Sequence, residues 1–370
     1  MSVLLHGEHF EGVDQKELAQ QIQAKNKCRE KLPTWFRSPQ IYYPDGLNIE
    51  QCSSEATARY KADLVHGKTL LDLSGGFGVD SYFFSKKMDS VIHCEIDSRL
   101  SGIAAHNFGI LDSRNIQCHP NDGIEYLKDH DQKFDWIYAD PSRRNDRKGK
   151  VFLLRDCLPD IPGNLDLIFE RTDRLLLKGS PMLDIKGGIG ELGSVREVHV
   201  LALENEVKEL LFLLERGFVG ETGIQTVNMG KKDEQRFGFT LGEEQACQSQ
   251  FGHAGNYLYE PNAAILKAGG FKSIGRGYGL QKLHPHSHLY SSAELVDFPG
   301  RRFRLLAKLP YSKKNVQGLG LEKANVSVRN FPQSVAQLRK RHRIADGGDD
   351  YLFFTKDLEG VLIVLHCKKA

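Results

Sequence analysis

The segment Lys68 to Asp80, KTLLDLSGGFGVD, has the residue types of a site that meets its ligand with backbone rather than side chains. The apolar run Thr69-Leu70-Leu71 predicts a buried strand ending at Asp72. The loop Ser74-Gly75-Gly76-Phe77-Gly78 can then bring bare backbone against a ligand, because glycine carries no Cβ. Val79 to Met88 predicts a helix whose first amides point back at that loop, which favours negative ligand groups there. Val91-Ile92-His93-Cys94 predicts a second strand, which delivers Glu95 and Asp97 at its carboxyl end. In open parallel α/β sheets the ligand lies beyond the carboxyl ends of the strands, where this loop falls.

Two nucleotide chemistries compete for such a loop. The dinucleotide fingerprint GxGxxG would use Gly76 and Gly78 and needs a third glycine at position 81, which is Ser81. A nicotinamide oxidoreductase is therefore disfavoured. What remains is a glycine loop with an acid about 20 residues further on, which suits an adenosine carrying something other than a pyrophosphate. On these residues the chain resembles the class I S-adenosylmethionine-dependent methyltransferases. Asp72 to Gly78 is similar to their D-x-G-x-G-x-G loop, with Ser74 in the first glycine position. Glu95 matches the acid that holds the ribose hydroxyls, with Asp97 able to share the task. Asp122, in HPNDGIEYL (119–127), matches the acid beside the adenine. Asp140-Pro141-Ser142-Arg143 stands where the class carries [DN]-P-P-[YF] and departs from it at the last two positions. The resemblance implies a Rossmann-like α/β domain with a seven-stranded sheet and S-adenosylmethionine as cofactor. It places Asp72, Ser74, Gly75, Gly76, Gly78, Glu95, Asp97 and Asp122 around that cofactor, and Asp140, Pro141, Ser142 and Arg143 at the acceptor.

Methyl transfer from a sulfonium is an in-line displacement in which the enzyme mostly positions the nucleophile. For a base amine, the Asp140 carboxylate and the Pro141 carbonyl could hold the N–H groups and aim the lone pair at the methyl. The plainer alternative is an Asp-Pro turn closing a strand. The last motif position stacks on a flipped base in base-methylating enzymes. With Ser142 and Arg143 there, either a guanidinium stacks on the base or meets phosphate, or the target is not a flipped base. Arg143, Arg144 and Arg147 make a basic lip or a solvated loop. Asn121-Asp122-Gly123 equally suits a turn and helix cap.

At 370 residues the chain exceeds one core, so two or three domains are expected. It is 40% hydrophobic with no apolar run near 18 residues, which predicts a protein without a membrane span. The N-terminus is too polar for a secretory signal. Seven scattered cysteines without a CxxC pair suit a reducing cytoplasm and argue against structural zinc.

A helical N-terminal segment with a proline-punctuated linker is expected over residues 1–50, with a helix from about Val13 to Glu30. The methyltransferase domain would span 51–242. It begins with a helix capped by Ser53 or Ser54 and reaching Val65, near which Gln51 and Thr57 are possible cofactor contacts. Further strands are predicted at Phe134 to Ala139, Asp173 to Lys178 and Val195 to Ala202. A helix Glu206 to Glu215 capped by Asn205 follows, then a hairpin of Gly223 to Met229 with Arg236 to Leu241. A helix is predicted within 257–271, ending at Gly269-Gly270. Beyond Phe298, strand-like runs surround one basic helix, Ser334 to Ile344, as in a small α+β domain.

The net charge of +2 hides an asymmetry: residues 246–370 hold 19 Lys and Arg against 9 Asp and Glu, and residues 1–245 hold 31 against 39. A basic tail on an acidic body predicts a polyanion-holding module, most plainly for RNA, with a solvated basic surface as the alternative. Arg301, Arg302 and Arg304, with Arg339, Lys340, Arg341 and Arg343, are the phosphate-contact candidates. Phe303 and Phe331 lie among them and suit a core equally well. Pro285 spoils a metal site in HPHSH (284–288), so no metal is expected. YEPNAAILKAG (259–269), HLYSSAELVDFPGRRF (288–303), VRNFPQSVAQLRK (328–340) and GGDDYLFF (347–354) resemble a bacterial methyltransferase family with a THUMP-like C-terminal domain. That resemblance implies a ferredoxin-like segment at 243–296, a THUMP-like domain at 297–370 and, by analogy with true THUMP domains, RNA as partner. The rival functions are a methyltransferase acting on a small molecule or protein, and a non-catalytic RNA-binding protein on a methyltransferase fold.

Overall fold

The computed structural model describes residues 14–143 and 153–370. The chain divides into two compact units, Met1–Glu197 with Leu210–Gly220, and Val198–Glu209 with Glu221–Ala370.

The first unit opens with the helices Gln15–Lys31, Pro33–Arg37, Gly46–Gln51 and Glu55–Leu64. The last of these is capped by the Ser54 hydroxyl, which accepts the Thr57 N–H. The sheet strands that follow are β1 (Thr69–Asp72), β2 (Ser90–Cys94), β3 (Ile116–His119) and β4 (Trp136–Ala139). A short ribbon, β5 (Ser142–Arg143) with β6 (Cys157–Leu158), precedes β7 (Arg174–Gly179). The hairpin β8 (Val195–Leu203) and β9 (Glu206–Glu215) is divided between the units. β1, β2, β3, β4 and β7 pair in parallel, and β9 runs antiparallel to β7. With its hairpin partner β8, the order is β8-β9-β7-β4-β1-β2-β3, the seven strands that the resemblance implied, and the sheet continues beyond β8 through β10 (Gly223–Met229) and β11 (Glu234–Thr240) to nine strands. Leu70, Leu71, Ile137, Leu175, Leu176 and Leu177 are all fully buried, each worth about 1.5–3 kcal/mol. Strands sealed on both faces in this way lose their alternation and become continuous apolar runs.

That loss of alternation explains one correction. Glu206 to Glu215 is a strand, not an Asn205-capped helix. Its run Leu210-Leu211-Phe212 is buried, and periodicity cannot separate a buried helix from a buried strand. Glu204 and Asn205 both take positive φ, 47° and 67°, and form the tight turn that reverses the chain. The helix after the glycine loop is also shorter than expected, Val79–Phe84.

A buried ion pair ties the N-terminal helices to this sheet. Lys61, fully buried on Glu55–Leu64, lies 3.0 Å from Asp80 Oδ1 and donates to Ser53 Oγ at 2.7 Å. The Ser53 and Tyr138 hydroxyls each donate to Asp80 Oδ2 at 2.8 Å. Burial is the largest single influence and pushes the Asp80 carboxyl up, but the Lys61 and Lys178 ammoniums together with the Ser53 and Tyr138 hydroxyls hold the group below its usual value.

The second unit carries the hairpin β10 (Gly223–Met229) and β11 (Glu234–Thr240) and the helix Leu241–Ala246. A separate seven-stranded sheet is formed by β12 (Tyr257–Pro261), β13 (Gln281–Lys282), β14 (Tyr290–Ser292), β15 (Gly300–Pro310), β16 (Asn325–Val328), β17 (Asp350–Lys356) and β18 (Leu362–Lys369), in the order β13-β14-β12-β15-β18-β17-β16. All pairs are antiparallel except β16 with β17. Residues 257–261 are strand, and the predicted helix begins only at Ala263, capped by Asn262 and closed at Gly269 with φ 78°. The basic helix is Val335–His342, with a capping box between Ser334 and Gln337. Phe303 is a fully buried core residue and Phe331 packs against the core, so neither stands as an open stacking platform. Among the described residues no helix is long and apolar enough to cross a membrane.

Removing one partner of the buried pair leaves the other uncompensated. Lys61→Met is expected to lower unfolding free energy by about 3–5 kcal/mol in chemical denaturation. A loss below about 1 kcal/mol would show that the pair is not a structural tie.

Candidate active site

The site is built at the carboxyl ends of four adjacent parallel strands. After β1 the chain turns at once: the Leu73 N–H donates to Tyr138 O at 2.9 Å and the Gly75 N–H to Cys94 O at 2.7 Å. Gly76 and Gly78 take positive φ, 58° and 83°, which side-chain-bearing residues rarely adopt. Gly75 is required for a different reason. A Cβ there would lie 2.1 Å from the His93 ring, and one on Gly78 would lie 2.4 Å from Phe108.

Asp72 braces this loop from within. It is 1% exposed, and its carboxylate accepts the Ser74 N–H at 3.0 Å and the Ser81 hydroxyl at 2.6 Å. Ser81 Oγ also lies 3.0 Å from His93 Nδ1, so the residue that breaks the dinucleotide fingerprint is a link in the loop's support. Burial pushes the Asp72 carboxyl up to about 7 and the His93 imidazole down to about 4.

Glu95, at the end of β2, closes the loop from outside. Its carboxylate accepts the Gly76 N–H and the Asp97 N–H, both at 2.8 Å. Each oxygen keeps a second acceptor position, so the group can still hold a ligand's hydroxyls. Asp97 caps the helix Ser98–Ile110 through Oδ1, and Asp122 caps Gly123–Asp129 in the same way, leaving Oδ2 of each for other contacts. Ile96, between the two β2 acids, is 72% exposed and offers apolar surface beside them; sequence analysis did not single it out.

Asp140 follows β4. Its N–H donates to Ser74 Oγ at 2.6 Å, so the serine in the first glycine position couples the loop after β1 to the loop after β4. Its Oδ2 accepts a hydrogen bond from Lys178 Nζ at 2.6 Å. Sequence analysis missed Lys178. The parallel register that ends at Ala139 with Leu177 makes Asp140 and Lys178 neighbours, and only strand pairing reveals it. Ser142 is exposed on the β5–β6 ribbon. The rest of the basic lip, including Arg144 and Arg147, lies outside the described residues.

In the second unit the basic candidates separate by partner. Arg301 and Arg329 both pair with Glu260, which is 3% exposed. Arg302 meets Asp297 at 2.8 Å, and Arg339 pairs with Asp346. Arg304, Lys340, Arg341 and Arg343 are exposed. Withdrawing Arg301 to a phosphate would strip a buried carboxylate of one of its cations, so the structure removes it from the open basic surface. His288 stacks on Phe271 at 3.7 Å, and among the described residues no group of three His, Cys, Asp or Glu is placed to hold a metal.

Because the folded protein holds the Asp72 proton up to about pH 7, against an ordinary carboxylate value of 3.8, folding takes up a proton between those values. Stability is then highest below about pH 4 with respect to this group and falls as pH rises to about 7, by at most about 1.4 kcal/mol per unit. Asp72→Asn cannot titrate and should flatten that slope in denaturant titrations across pH. An unchanged slope would exclude Asp72 as its source.

Comparison with known proteins accords with this geometry. A ferredoxin-like domain model matches residues 257–299 and a THUMP domain-like model residues 300–369. The crystal structure of a "putative methyltransferase" from Porphyromonas gingivalis W83 is 32% identical, covers 100% of this chain and 94% of its own, and superposes with a TM-score of 0.91. An "uncharacterized S-adenosylmethionine-dependent methyltransferase" of Mycobacterium tuberculosis is 22% identical over 325 residues, 87% of this chain and 86% of that protein. Matched along its whole length by one relative and through its tail by both domain models, the chain belongs to the S-adenosylmethionine-dependent methyltransferases that carry a ferredoxin-like and a THUMP-like domain, and S-adenosylmethionine is its cofactor.

Proposed function

We propose that this methyltransferase modifies RNA in the cytoplasm, holding it on the basic C-terminal region. The observation that carries this reading is the exposed set Arg304, Lys340, Arg341 and Arg343 within a tail of 19 basic against 9 acidic residues, on a domain like those that hold structured RNA. Bound S-adenosylmethionine supplies an electrophilic methyl. The chain's own residues orient it. Glu95 accepts the ribose hydroxyls with its remaining lone pairs, and the unsubstituted backbone at Gly75, Gly76 and Gly78 leaves room for the methionine tail. Asp122 and Ile96 meet the adenine, and Asp97 assists Glu95. Asp140, with Pro141, Ser142 and Arg143 beside it, faces the acceptor; a carboxylate and a carbonyl alone would suit a base amine. The catalytic domain spans 51–242 behind the helical segment 1–50, followed by the ferredoxin-like segment 243–296 and the THUMP-like domain 297–370. No metal enters this scheme.

Glu95→Ala and Gly76→Val are each expected to abolish S-adenosylmethionine binding in calorimetry, and full-strength binding by both would refute the site. Asp140→Ala should keep cofactor affinity and lose turnover by about 100-fold or more; unchanged turnover would remove its role. RNA affinity of the full chain should fall linearly on a log–log plot against salt. Arg304→Ala with Lys340→Ala should shallow that slope by about 0.7 for each phosphate left without its cation. Salt-independent RNA binding, or none, would favour a small-molecule or protein acceptor.

A further inference from the structure

The ion pair between Lys178 and Asp140 bears on which atom receives the methyl. Parallel pairing of β4 with β7 ends at Ala139 opposite Leu177, and the next residue on each strand is Asp140 and Lys178. Lys178 is 12% exposed and Asp140 33%, so the ammonium lies beneath and the carboxylate opens outward. Asp140 is fixed twice, its carboxylate by Lys178 at Oδ2 and its backbone N–H by Ser74 Oγ. Other charged or titratable groups within electrostatic reach of Lys178 include Asp80, itself paired with Lys61, and Lys31 and the Cys52 thiol.

An amine attacking a sulfonium methyl gains positive charge as the new bond forms. A lone carboxylate would stabilise that charge. A carboxylate neutralised by an ammonium 2.6 Å away stabilises it far less, and the ammonium opposes it. A hydroxyl acceptor has the opposite need: it must shed a proton and gains negative character at oxygen, which a carboxylate acceptor and a nearby cation both serve. A second observation agrees. The motif position that would stack on a flipped base is not aromatic, and Ser142 beside it is exposed and too small to form a platform.

We propose that Lys178 is a positioning residue for Asp140, and that the pair directs the methyl to the 2′-hydroxyl of an RNA ribose rather than to a base amine. This rests on the RNA reading above. The hydroxyl oxygen forms the bond to the methyl carbon. The carbon–sulfur electron pair stays on sulfur, which leaves as the neutral thioether of S-adenosylhomocysteine. The hydroxyl proton passes to Asp140 Oδ1 and from there to solvent.

The full-length protein is incubated with methyl-tritiated S-adenosylmethionine and total RNA from cells lacking the protein, and the RNA is hydrolysed in alkali. A 2′-O-methyl group blocks cleavage of its own phosphodiester, so the expected label appears in alkali-stable dinucleotides. Label in base-methylated mononucleotides overturns the oxygen acceptor and leaves the RNA reading standing. No label in RNA, from protein that binds S-adenosylmethionine, overturns both. Lys178→Met is expected to lower kcat about 100-fold with KM for RNA changed by less than about threefold, and Lys178→Arg to recover part of the loss. Cofactor affinity measured on the same samples distinguishes lost turnover from lost folding. Wild-type kcat in Lys178→Met overturns the positioning role.

Discussion

The approach of the loop after β1 to the strand beside it governs this molecule. His93 lies so close beneath Gly75 that no side chain fits there, and the bond from Gly75 N–H to Cys94 O fastens the loop to the end of β2. The amides of this backbone are held within the protein, Ser74 N–H by Asp72 from inside and Gly76 N–H by Glu95 from outside, with Ser81 bracing Asp72. Most residues in this region therefore hold the shape of the pocket. Glu95 both fastens the loop through the Gly76 N–H and keeps acceptor positions for a ligand.

Because the loop is fixed, the strands next to it can add chemistry with little further structure. Ser74, Asp140 and Lys178 stand at the ends of three neighbouring strands, and two hydrogen bonds of 2.6 Å link them in a row. Serine in the first glycine position is thus functional in a local sense: its hydroxyl accepts a bond that glycine could not. Lys178 alters the meaning of Asp140, since a carboxylate in an ion pair presents a different field to an acceptor than a lone one does.

The second unit shows how a count of charges overstates a binding surface. Arg301, Arg302, Arg329 and Arg339 answer acids of the same unit, and Glu260 alone takes two of them. Of the phosphate-contact candidates, those that stay exposed are Arg304 on β15 and Lys340, Arg341 and Arg343 at the end of the helix Val335–His342. Aromatic residues interleaved with those charges serve the core, as Phe303 does, because β-strand alternation carries every second residue inward.

The amino-acid sequence by itself determined the glycine loop, the acid at the end of β2, the Asp-Pro motif after β4, the capped helices and the basic tail. These are local: turn geometry, caps and strand-end acids depend on residues near in sequence. Tertiary structure decided the rest. Glu206 to Glu215 became a strand because sheet neighbours bury it, which no periodicity in its own residues discloses. Asp72 turned inward and Arg301 was taken by Glu260, 41 residues away. Lys178 reached Asp140 across 38 residues because two strands pair in parallel with a fixed register. Contacts of that kind arise from how separate segments are brought together, and a linear reading sees the segments without the distance between them.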